Sequence, residues 1–173
     1  MKVRIPRNDK QAELLPEWKF YNAARITEYN GIVNKGTFSI IPIPVGSKII
    51  PTHFIYDLKL DENWGLEKFK GRLIVQGFHQ VKGIDYDDSF APVPHPTGCR
   101  IINAIANELG LPIYHIDVSQ AYLHASMAGE KPVFVSPPKG FELPPGMCLR
   151  LEKALYGTPI AGRAWFKELR GFL

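Results

Sequence analysis

Asp117 is the side chain best placed in this sequence to do chemistry. It closes an alternating run in which Leu111, Ile113, His115 and Asp117 interleave with Pro112, Tyr114, Ile116 and Val118. A period of two is that of a strand. The expectation is a strand over 111–118 that turns Tyr114, Ile116 and Val118 to a core and leaves Asp117 on the opposite face, at the strand end. Ser119-Gln120-Ala121 breaks the alternation and reads as a turn into a short helix. A carboxylate held there suits a hard, oxygen-ligated cation such as Mg2+. It equally suits a solvated aspartate capping the helix behind it. These residues alone leave both readings open.

Two cations form the second chemical feature. In Phe69-Lys70-Gly71-Arg72-Leu73-Ile74-Val75 the spacing of Lys70 and Arg72 aims both at one side of a strand. Such a pair can clamp a triphosphate or a nucleic-acid backbone. It can also be the charged outer face of an edge hairpin. Tyr86-Asp87-Asp88 invites a catalytic reading too, but no apolar strand leads into it, and Asp85, Asp87 and Asp88 read as a solvated acidic loop. The five histidines show no metal-ligand spacing. No Walker loop, GxGxxG or Gly-x-Ser-x-Gly is present.

The elements that must position these groups are legible as a mixed α and β pattern. A helix is expected from near Pro16 to about Tyr29, ended by Asn30-Gly31. Residues 36–42 read as a strand. Thr52 to Leu60 and Glu67 to Phe78 read as a hairpin joined by the polar run 61–65. Thr97 can cap a helix in which Ile101, Ile102, Ile105, Ala106 and Leu109 form one apolar stripe, and Gly110 ends it. Short strands follow at 133–135 and 149–151, then an amphipathic helix over 159–172.

A chain of 173 residues, 45% apolar and 22% charged, has the composition of one globular domain and not of a disordered segment. A net charge of +4 permits a polyanionic partner without demanding one. Cys99 and Cys148 form no CxxC pair and read as free thiols. No run nears the roughly 20 apolar residues of a membrane span, and Met1 to Pro6 has no signal-peptide core.

Four blocks, in order, resemble copia-type retrotransposon reverse transcriptases, and the resemblance runs from about Trp18 to Leu173. They are the basic strand Phe69 to Phe78, the run Gly83-Ile84-Asp85-Tyr86-Asp87-Asp88-Ser89-Phe90-Ala91-Pro92-Val93, the strand end Asp117-Val118 with Ala121-Tyr122-Leu123, and Lys153-Ala154-Leu155-Tyr156-Gly157 with Ala161, Arg163, Trp165 and Phe166. Gln76 stands where the family has a lysine, Gly71 where it has alanine, and Pro159, Ile160 and Gly162 replace family residues in the last block.

The resemblance implies an α+β fold, with polymerase fingers over about 1–95 and the first half of a ferredoxin-like palm sheet packed on helices over about 96–173, together one partial domain. It implies template-directed addition of deoxynucleotides to a 3'-hydroxyl with two metal ions, Mg2+ or Mn2+. Asp117 would be the catalytic carboxylate and metal ligand. Lys70, Arg72, Val118, Tyr122, Tyr156 and Gly157 would contact the nucleotide, with Tyr122 under the sugar. Arg163 would contact the template. The implied partners are an RNA or DNA template-primer, deoxynucleoside triphosphates and the remainder of a polyprotein, with no membrane. The implied location is the cytoplasm, in a virus-like particle, with the nucleus as the alternative. The Tyr-x-Asp-Asp turn of the family is not among these residues, so the isolated chain is expected to be inactive. The alternative is a non-catalytic nucleic-acid-binding remnant.

Overall fold

In a computed structural model, residues 3–173 are described. Four helices and six strands run in the order α1 (Asp9–Glu13), α2 (Trp18–Asn34), β1 (Phe38–Pro42), β2 (Ile49–Ile50), β3 (Thr52–Leu60), β4 (Leu66–Val75), α3 (Pro96–Glu108), β5 (Phe134–Val135), β6 (Met147–Leu151) and α4 (Ala161–Phe172). Single 3-10 turns lie at Gly77–His79 and Ala121–His124. The class is α+β, as expected.

The strands form two sheets. One has the order β1-β6-β5-β2, antiparallel except for the parallel β2–β5 pair. The other is the β3–β4 hairpin. Only Pro51 separates β2 from β3, so the chain passes directly from the sheet into the hairpin. One core joins them: Tyr21 and Ile32 of α2, Phe54 and Leu73 of the hairpin, and Val135 and Leu149 of the sheet are all buried, together with Leu123 and Leu155.

Several sequence expectations are corrected. Gly31 does not end the second helix. A mid-helix glycine costs about 1 kcal/mol relative to alanine, and full burial of the next residue, Ile32, outweighs it. The helix stops instead at Gly36, whose φ of 63° and N–H bond to the Val33 carbonyl (2.8 Å) close it. The short α1 was missed. It exists because Asn8 accepts a hydrogen bond from the Gln11 N–H at 3.0 Å. His95, not Thr97, caps α3, its Nδ1 accepting from the Thr97 N–H at 3.2 Å. The apolar stripe of α3 is exposed at Ile101, Ile102, Ile105 and Leu109, and only Ala106 is buried.

The largest correction concerns 111–118, which form no strand. Tyr114 and Ile116, expected in a core, are 82% and 84% exposed. A strand needs a ladder partner for its N–H and C=O groups. Among the described residues none pairs with this segment.

Arg25 ties the N-terminal half together. It is 3% exposed, and its guanidinium lies over the rings of Trp18, Phe54 and Phe141 at 5.2, 4.8 and 5.8 Å from their centroids. Its Nη2 donates to the Lys139 carbonyl, and its Nε lies 3.9 Å from the Asp9 carboxylate. Asp9 also accepts from the Tyr56 hydroxyl. A buried cation is tolerated only where partners replace its hydration. Arg25→Ala is therefore expected to cost about 3 kcal/mol, by stranding Asp9 and opening space among three rings. Arg25→Lys should recover only part of this, because an ammonium lacks the guanidinium plane. Urea unfolding of the two variants measures both.

Candidate functional site

The geometry of the site starts from a backbone interlock. The Val75 N–H, at the end of β4, donates to the Tyr156 carbonyl at 2.8 Å. Gly157 has a φ of 88°, and a Cβ there would stand 2.1 Å from the Val75 carbonyl oxygen. A Cβ on Gly77 would stand 2.0 Å from the Gly157 carbonyl oxygen. Only glycine fits either place. This contact brings the 153–159 loop against the basic strand.

Tyr156 consequently lies under Arg72, with the guanidinium 5.0 Å from the ring centroid. Such a contact is worth about 0.5–2 kcal/mol and fixes the direction of the guanidinium plane. The ring of Tyr122 lies 5.2 Å from that of Tyr156. Of the residues singled out in the sequence, Arg72, Tyr122, Tyr156 and Gly157 are thus brought together.

Lys70 is exposed on the same face of β4 as Arg72, as its period of two required. Both line a cleft of ≈ 300 Å³ with Lys68, Asp57 and Glu28. Lys68 extends the period to three cations at 68, 70 and 72, a signal present in the sequence and missed. Asp57 stands directly across the hairpin from Lys70. Glu28 reaches the cleft from α2, and no sequence motif marked it. Burial pushes the Glu28 carboxyl above the usual range, opposed by the nearby charge of Arg72. Burial also raises the Tyr156 phenol, so that it remains a neutral donor. The cleft offers three cations, partly balanced by two carboxylates, beside two aromatic faces. That is chemistry suited to a phosphorylated, planar ligand.

Asp117 and Val118 lie on the exposed, unpaired segment 111–118. The other open reading of Asp117, a helix cap, is not made: Gln120 precedes the 3-10 turn, and no side chain caps it. Among the described residues, no three His, Cys, Asp or Glu side chains gather where they could hold a metal. A divalent cation of this kind takes six or more oxygen ligands, and a metal pair needs several carboxylates. One exposed aspartate does not meet that need, so the residues present do not fit a two-metal centre.

Arg163 pairs with carboxylates that are not part of the Arg72 cluster. Its Nε is 3.7 Å from Asp88 and its Nη1 is 3.6 Å from Glu130. The acidic loop is accordingly not simply solvated: Asp85 pairs with Lys48 at 3.2 Å and Asp87 with Lys131 at 2.7 Å. Asp85 also accepts from the Val81 N–H at 2.7 Å. That bond, with Lys48 adding to it, holds its carboxyl below the usual range although partial burial opposes it.

The reverse transcriptase (RNA-dependent DNA polymerase) family matches residues 35–173, and the chain belongs to that family. Its relatives are copia-type polyproteins of plant transposons. It is 33% identical over 172 residues to the retrovirus-related Pol polyprotein from transposon TNT 1-94 of Nicotiana tabacum, covering 98% of this chain and 13% of that protein. It is 34% identical over 172 residues to the corresponding polyprotein from transposon RE2 of Arabidopsis thaliana, covering 97% of this chain and 11% of that protein. The chain therefore spans about an eighth of the length of these relatives. No solved structure matches it.

Gly157→Ala is expected to lower stability by more than about 2 kcal/mol, from left-handed strain plus the clash with Val75. It should also speed amide exchange at Val75, which native-state hydrogen exchange reads. For Asp85 a depressed carboxyl contributes stability above its unfolded pKa, and this is lost as pH falls through the folded one. Below about pH 4 the unfolding midpoint of the native chain should drop more steeply than that of Asp85→Asn, measured by urea titration at a series of pH values.

Proposed function

We propose that this chain is part of the RNA-directed DNA polymerase of a copia-type retrotransposon polyprotein, and that the Arg72 cluster contacts the triphosphate of an incoming deoxynucleotide. The observation that carries this reading is the stacking of Arg72, Tyr156 and Tyr122 beside a cleft with Lys68 and Lys70. On this reading residues 1–95 act as fingers and 96–173 as the first part of a palm. Arg72 and Lys70 neutralise phosphate charge, and Arg72 does so from an orientation held by Tyr156. Tyr122 offers a flat face under the sugar, where an added 2'-hydroxyl would clash. Arg163 meets the template once a phosphate displaces Asp88 or Glu130. Asp117 is the one carboxylate that this reading assigns to metal, and alone it does not form a two-metal centre.

One observation favours a second reading, non-catalytic binding of nucleic acid. Lys68, Lys70 and Arg72 line one cleft together, while among the described residues no three metal-ligating side chains gather, at Asp117 or elsewhere.

Titration of the chain with a labelled primer-template and with deoxythymidine triphosphate tests the proposal. Binding should weaken as salt rises. Arg72→Ala should weaken it about 10-fold and reduce the salt slope by about one, with a similar loss for Lys70→Ala. No binding at low salt excludes both readings. Primer extension by the chain, abolished in Asp117→Asn, would establish catalysis and rule out the binding-only alternative.

A further inference from the structure

We propose that the acidic segment 79–88 is a displaceable strap over a second basic face, made of Lys48, Lys131 and Arg163, and that the phosphate backbone of a nucleic acid takes its place. The inference rests on the reading that the chain binds nucleic acid, but none of these three cations lines the Arg72 cleft. They come from separate elements that converge. β2 and β5 run parallel, with Ile49 opposite Phe134. Lys48 and Lys131, each just ahead of its strand, therefore arrive at the same end of the sheet. Arg163, in the first turn of α4, is joined to that end by Glu130, 3.6 Å from its Nη1.

Each cation meets the segment in the same way, through one carboxylate and one backbone carbonyl. Lys48 Nζ lies 3.2 Å from Asp85 and donates to the His79 carbonyl. Lys131 Nζ lies 2.7 Å from Asp87 and donates to the Gly83 carbonyl at 3.0 Å. Arg163 Nε lies 3.7 Å from the Asp88 carboxylate, and its Nη1 donates to the carbonyl of the same residue at 3.4 Å. A charged oxygen with a second acceptor beside it is also what a phosphodiester presents, through its two non-bridging oxygens.

The segment keeps its own shape and holds to the rest of the chain weakly. Within it, the Gly83 N–H donates to the Tyr86 carbonyl at 2.7 Å and the Asp85 N–H to the Val81 carbonyl at 2.8 Å. Gln80 and Tyr86 pack inward, while Val81 and Ile84 are exposed. The clamps themselves are open to water: the Asp87 side chain is 69% exposed and that of Lys48 47%. Exposed ion pairs are weak and fade as salt rises. A polyanion that brings many charges at once can therefore displace three carboxylates. Glu130, outside the segment, still holds Arg163 when Asp88 leaves.

Titration of the 173-residue chain with the labelled primer-template, at a series of salt concentrations, tests the strap. The variant with Asp85→Asn, Asp87→Asn and Asp88→Asn loses the charge but keeps an acceptor oxygen for the Val81 and Phe90 N–H groups. It should bind about tenfold tighter than the native chain, with a slope of log affinity against log salt steeper by about 2–3, near one ion per phosphate taken up. Glu62→Gln, Glu108→Gln and Glu142→Gln together remove the same charge from exposed carboxylates outside the segment, and should gain about twofold or less. Adding Lys48→Ala, Lys131→Ala and Arg163→Ala to the Asn variant should return it to the native affinity. An equal gain in the Asn and Gln variants overturns the proposal, as does a gain that survives loss of the three cations. If the Asn variant does not fold, Asp87→Asn alone should gain about threefold, the scale of one exposed ion pair, and Lys131→Ala should cancel it; no such gain is equally fatal. Native binding without any gain in the Asn variant overturns the strap and leaves the cleft reading standing. Native binding that Arg72→Ala leaves unchanged removes the cleft reading alone, because the strap comparison does not involve that residue.

Discussion

The structure depends on a backbone-to-backbone contact that has no room for a side chain. Gly77 and Gly157 lie so close to each other and to Val75 that the end of the basic strand and the 153–159 loop are in effect one piece. Contacts between side chains can slide or repack. A glycine pressed against a carbonyl oxygen cannot, because interiors are close-packed and any shift meets hard repulsion. The position of Tyr156 relative to Arg72 is therefore set by main-chain geometry. The aromatic–cation stack follows from it.

From that contact the support runs outward through α2. The helix lies close across β4: a Cβ on Gly71 would meet the Arg25 backbone nitrogen at 3.3 Å. Phe69 packs between Phe20, stacked at 5.1 Å, and Tyr21, edge-on at 4.8 Å. One face of α2 thus buries Tyr21, Arg25 and Ile32, while Glu28 reaches the basic cleft. The same helix anchors the core and lines the site, which is why a low overall amphipathicity does not weaken it. Its buried cation is compensated by three ring faces, a carbonyl and Asp9, and the helix is also held by the 137–141 turn, through the Lys139 carbonyl and the Phe141 ring stacked on Tyr29.

How much of this was legible depends on whether the determinants were local. The hairpin, the direction of Lys70 and Arg72, α3 and the last helix follow from period and capping, and the structure forms them. The end of α2 is not legible from Gly31, because what carries the helix past it is the burial of Ile32, a tertiary fact. The interlock could not be read from Gly77 and Gly157 separately, since eighty residues part them and neither motif names the other. Lys68 was readable from the same alternation as Lys70. Glu28 was not, because its place in the cleft depends on how α2 lies across β4. Cross-strand Asp57 became visible only with the hairpin register.

The 111–118 segment shows the limit of pattern most clearly. Its alternation is as regular as that of β4, yet β4 is a strand and this segment is not. The difference is hydrogen bonding: β4 has β3 along its whole length, while the backbone of 111–118 has no ladder among the described residues. A period of two specifies which faces a strand would present; it does not provide the neighbour that makes it a strand. The exposed stripe of α3 precedes this segment, and Ile105, Leu109, Leu111, Ile113 and Ile116 together leave much apolar surface in water. On the proposed reading, the same pairing that would complete the ladder would also fix the place of Asp117, which sharing a metal requires. The order of the segment and the competence of Asp117 are in that sense a single physical question, whereas the Arg72 cluster, fixed by main-chain contact, is already in place.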